Sequence, residues 1–92
     1  MILGVEVRPL IKHVDERGYI MEMLRDSTCF EGFRQTYVCV VNPGAVKAWH
    51  KHEWQTDHFV CVSGMAKVVL FDGWSGEINE FFIGDDNPAL LR

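Results

Sequence analysis

Residues 44–64 hold the chain's densest chemistry. They read Gly44-Ala45-Val46-Lys47-Ala48-Trp49-His50-Lys51-His52-Glu53-Trp54-Gln55-Thr56-Asp57, with Gly64 following. Two histidines one residue apart on a strand point to the same face. A carboxylate a few residues on, Asp57, adds a third group able to converge with them. Two imidazoles and one carboxylate form the facial set that binds Fe, Mn, Ni or Zn. The plainer reading is a pair of solvent-facing histidines on a strand. The glycines at both ends, Gly44 and Gly64, favour a pocket over that reading.

Such residues need a scaffold, and the pattern predicts strands. Tyr19–Leu24 follows the turn Asp15-Glu16-Arg17-Gly18. Phe33–Val41 is rich in aromatic and β-branched residues and stops at Asn42-Pro43-Gly44, a strong turn signal. His58–Val62, Val68–Phe71 and Glu77–Ile83 are further runs, each ended by Gly, Asp or Asn. Pro88-Ala89-Leu90-Leu91-Arg92 opens like another buried strand. Ser27–Gly32 is the only place where a single helical turn is expected. Turn signals every 8–12 residues or so suggest a sandwich or jelly roll. Without a linker or repeat, residues 1–92 read as a single all-β domain. Trp49, Trp54 and Phe59 are expected in its core, and His13 and His58 as ordinary strand or surface residues.

Composition narrows the partners. The 92 residues carry a formal net charge of −4, and their nine Lys and Arg form no stripe. Nucleic-acid binding, which depends on neutralising phosphates, is not expected. A small anion needs only two or three cations and stays open. Cys29, Cys39 and Cys61 are odd in number and lack a C-x-x-C pair. Two of them lie in apolar runs, where a free thiol packs as a small hydrophobe. This points to a reducing compartment, hence the cytoplasm. Glu6 and Arg8 interrupt any leader-like run. No apolar stretch approaches the roughly 20 residues that span a bilayer, so no membrane association is expected.

The spacing Gly44-x5-His50-x-His52-x4-Asp57-x6-Gly64 resembles the first cupin signature, with Asp57 where Glu is usual. Asp15-Glu16-Arg17-Gly18-Tyr19-Ile20-Met21-Glu22 is similar to the early D-x-R-G-aromatic-x-x-E element of the dTDP-4-dehydrorhamnose 3,5-epimerase family and its sugar-ketoisomerase relatives. Gln35 and the Gly44–His50 segment match that family's Gln and its G-V-L-R-G-L-H segment. The resemblance implies a cupin-type jelly-roll β-sandwich whose chain stops ahead of the second cupin motif. It also implies a cofactor-free isomerase, with a divalent transition metal on His50, His52 and Asp57 as the alternative.

In that family His50 would remove a proton alpha to a 4-keto group, and Lys47, in place of the family's Arg, would support the enolate. Arg17 would contact the diphosphate, a task suited to a guanidinium. Glu22, Gln35 and His52 would line the site of a nucleotide-diphospho-sugar. His52 stands where the family has Gln, and Asp57 where it has Lys. The family's subunits exchange first strands, which implies a homodimer or higher oligomer with Val5–Leu10 on a partner's sheet. A truncated cupin kept as a non-catalytic binding or oligomeric module is the remaining alternative.

Overall fold

A computed structural model describes residues 1–25 and 32–92. Among them the chain is all-β, with seven strands and no helix. The expected helical turn at Ser27–Gly32 falls mostly outside the described residues. The chain divides into two compact units, Met1–Met23 with Asp57–Arg92, and Leu24–Thr56.

All seven strands belong to the first unit. They are β1 (Val7–Pro9), β2 (Lys12–Asp15), β3 (Gly18–Met21), β4 (Phe59–Val60), β5 (Met65–Phe71), β6 (Ile78–Gly84) and β7 (Ala89–Leu91). They form three ladders: β1-β7-β4, β2-β3 and β5-β6. The all-β expectation is met among the described residues, whereas these separate ladders do not establish the two facing sheets of a jelly roll. β1 pairs antiparallel with β7 of its own chain, Val7 opposite Leu91 and Pro9 opposite Ala89.

β7 is the centre of the unit. Its Ala89, Leu90 and Leu91 are buried, together with Ile83 at the end of β6. Pro88 suits the position just before it, since a proline inside the strand would remove a ladder donor. Burying each leucine contributes about 1.5–3 kcal/mol.

The β5–β6 hairpin alternates as a half-covered ribbon should. Ala66, Val68 and Leu70 lie opposite Ile83, Phe81 and Asn79 on the better-covered face. On the other face Lys67 Nζ sits 3.1 Å from Glu80 Oε1 and 5.7 Å from the Phe82 ring centre. Asp72 organises the connecting turn. Its carboxylate accepts the Trp74 N–H at 2.9 Å and the Ser75 hydroxyl at 3.0 Å.

Asp85 joins three segments of this unit. Its Oδ2 accepts the Gly64 N–H at 2.9 Å, and its own N–H donates to the Gly64 carbonyl at 2.8 Å. Lys12 donates to the Asp85 carbonyl at 3.2 Å and lies 4.9 Å from the Tyr19 ring centre. Beside this knot Gly84 has φ +149°, and a Cβ there would collide with the Gly64 carbonyl oxygen. Only glycine fits that close approach.

The second unit differs from expectation. No strand forms over residues 32–56, although Phe33–Val41 has strong strand composition. Tyr37 and Val38 are exposed, Val38 by 87%. A strand needs a neighbour for its alternating N–H and C=O groups, and the described residues supply none beside this run. The turn itself forms as read. Ala45 N–H donates to the Asn42 carbonyl at 2.9 Å, with Pro43 and Gly44 (φ +78°) at its centre, the pattern of a type II turn. Trp49 and Trp54 are exposed rather than in a core.

Candidate functional site

Arg17 is positioned by its own hairpin. Asp15 Oδ1 accepts the Arg17 backbone N–H at 2.8 Å, and Asp15 Oδ2 accepts Arg17 Nη2 at 2.6 Å. Gly18, at φ +140°, lets the chain turn into β3. The Arg17 side-chain hydrogen bond, followed by its backbone N–H, holds the Asp15 carboxyl below the ordinary carboxylate value. The Arg17 side chain is 83% exposed. A guanidinium has five N–H donors, so one bond to Asp15 leaves the others for a phosphate. Glu22, also exposed, follows directly after β3.

Gln35, Lys47, His50 and His52 all lie in the second unit and are exposed. Lys47 Nζ donates to Cys39 Sγ at 3.4 Å, across the Asn42–Ala45 turn. Lys51, between the two histidines, pairs with Glu53 at 3.7 Å. The histidines are not on a strand, so the alternation expected to align them has no ladder behind it. Asp57 is half-buried and belongs to the first unit. The proposed metal set is thus divided between the two units. Among the described residues no three His, Cys, Asp or Glu side chains gather where a metal could be held. Arg17 and Glu22 are likewise in the first unit, and the His50 segment in the second.

A family model described as the polysaccharide biosynthesis C-terminal domain matches residues 13–92. The chain belongs to this family. Over 99% of its length it is 41% identical to the spore coat polysaccharide biosynthesis protein SpsL of Bacillus subtilis. Over the same share it is 38% identical to the probable low-salt glycan biosynthesis epimerase Agl13 of Haloferax volcanii. It spans 64% of the length of each of these relatives. No solved structure gives a significant match.

Membership of the polysaccharide biosynthesis C-terminal domain family corrects the resemblance to the dTDP-4-dehydrorhamnose 3,5-epimerase family. Asp15-Glu16-Arg17-Gly18 is a local turn solution, with an aspartate accepting the N–H two residues on and a glycine at positive φ. Unrelated hairpins reach the same arrangement.

Two contacts, one in each unit, were not read from the sequence. Asp15 looked like a turn former, yet it also clamps Arg17. Cys39 was expected to pack as a small hydrophobe, but it is exposed, with its sulfur against Lys47. The clue was the turn at 42–45, which folds residues on its two sides back towards each other. No helix among the described residues is long and apolar enough to cross a membrane.

Proposed function

We propose that this chain carries the base-bearing part of a sugar epimerase or ketoisomerase that serves polysaccharide biosynthesis, with a nucleotide-diphospho-sugar as substrate. One observation carries the reading: 38% identity, across 99% of the chain, to a protein named as a probable glycan biosynthesis epimerase. The exposed segment Lys47–His52 supports it, because it sets a titratable base three residues from a cation.

The chemistry is proton transfer beside a carbonyl. An imidazole nitrogen of His50 takes the C–H proton alpha to a sugar ketone, and the bonding pair moves onto the carbonyl oxygen as an enolate. Histidine is the side chain that most often serves as general base in such a step. Lys47 places positive charge where the enolate oxygen develops. A proton returned to the opposite face of the same carbon gives the epimer; where that carbon bears a hydroxyl, transfer of the hydroxyl proton to the enolate oxygen and delivery of the abstracted proton to the former carbonyl carbon gives the ketoisomer. Arg17, held by Asp15 in the first unit, keeps donors suited to a phosphate.

The test is solvent deuterium uptake into dTDP- and UDP-linked 4-keto-6-deoxyglucose, read by mass spectrometry. Wild type exchanges, and His50→Ala exchanges about 10²–10⁴-fold more slowly, the usual contribution of a general base. Exchange by wild type and His50→Ala at equal rates would remove His50 from the mechanism. No exchange with either sugar would overturn the isomerase reading for these substrates.

A further inference from the structure

The four lysines of the chain fall into two kinds. Lys12 pairs with Asp85 at 3.8 Å, Lys51 with Glu53 at 3.7 Å, and Lys67 with Glu80 at 3.1 Å. Lys47 instead donates to a sulfur, Cys39 Sγ at 3.4 Å. Cys39 is a free, exposed thiol eight residues earlier in the chain. The Asn42–Ala45 turn, closed by a 2.9 Å hydrogen bond, lies between them.

The difference matters electrically. A carboxylate would hold the ammonium as well as a thiol does, but it would cancel the charge at close range. A cysteine sulfur is a weaker acceptor than a carboxylate oxygen. It restrains the long, mobile lysine side chain and leaves its positive charge available to an anion. The geometry points to Cys39 as a positioning residue for Lys47, holding an uncompensated cation ready for the oxyanion formed at this site. The role of that cation rests on the isomerase reading above, whereas the restraint itself does not.

The experiment separates the two. Acetylation of lysine amines by acetic anhydride is followed by mass spectrometry in wild type, Cys39→Ser and Cys39→Val, with Lys51 as internal control. Losing one weak hydrogen bond is expected to speed Lys47 acetylation about 2–5-fold in Cys39→Val. Cys39→Ser keeps an acceptor and stays close to wild type. Cys39→Ala repeats the contrast with less bulk should the valine variant fail to fold. An unchanged Lys47 rate in the valine and alanine variants overturns the positioning role.

The same proteins then enter the deuterium-uptake assay. Cys39→Val is expected to lower kcat with KM unchanged, and Cys39→Ser to restore it. A faster Lys47 acetylation in Cys39→Val without deuterium uptake by any protein leaves Cys39 positioning Lys47 and defeats the isomerase reading. Uptake that is identical in all variants, despite altered Lys47 reactivity, defeats the link between the restraint and the chemistry.

Discussion

An aspartate that binds the arginine two residues on affects both residues. Arg17 lowers the Asp15 carboxyl from its ordinary value of 3.8, so the ionised form is favoured in the folded hairpin. A depressed folded pKa contributes stability above the unfolded value, and that contribution is lost as pH falls through the folded one. Acid loosening of this turn is therefore expected below pH 3.8, and an NMR titration of the Asp15 side chain should show a midpoint below that value. Arg17→Ala should raise the midpoint towards the ordinary value, because the side-chain bond is lost while the backbone N–H bonds to Asp15 remain. In the uptake assay it should also raise KM for the nucleotide sugar about tenfold, the effect of losing roughly one charge-assisted hydrogen bond. The Asp-x-Arg-Gly spacing made this turn legible, because its partners are two residues apart. His50 and His52 were legible as a pair, but the strand expected to align them needed a neighbour that local sequence does not encode.

At the scale of elements, the expected runs overlap the strands to different degrees: Tyr19–Leu24 runs past β3, and Val68–Phe71 covers only the second half of β5. Glu77–Ile83 was expected where Ile78–Gly84 forms, and the Pro88–Arg92 opening became β7. Lys12–Asp15 was missed as a strand, since it offers one apolar residue and pairs only because the Asp15–Gly18 turn folds β3 onto it. The close approach at Gly84 was also hidden, because it depends on Gly64, twenty residues earlier in the chain. Gly84→Ala should cost about 1–3 kcal/mol from backbone strain alone, before any displacement of the Gly64 carbonyl. Thermal unfolding followed by circular dichroism would show the lowered Tm. Leu90, buried on the central strand between Arg8 and Val60, gives a packing test. Leu90→Ala should cost about 2–5 kcal/mol and lower the urea midpoint without altering the m-value.

For the molecule as a whole, the two units differ in how their backbones are satisfied. In the first, seven strands share ladder hydrogen bonds. In residues 32–56 the Asn42–Ala45 turn supplies the backbone pairing among the described residues. Native-state hydrogen exchange should therefore find protection in β5, β6 and β7, with amides of residues 32–56 exchanging far faster. Comparable protection across 32–56 would contradict the absence of strands there. The two hairpins can close early, since each joins neighbouring stretches of chain. The β1–β7 ladder cannot, because its partners, from Pro9 with Ala89 to Val7 with Leu91, lie at opposite ends of the chain, and such closure carries a large entropic cost before any contact rewards it. Until β7 docks, β1 and β4 lack the strand they pair with, and Leu90 and Leu91 stay open to water. The central strand thus acts as a clock, and how long it takes to arrive sets how long this protein is exposed to association with others still folding.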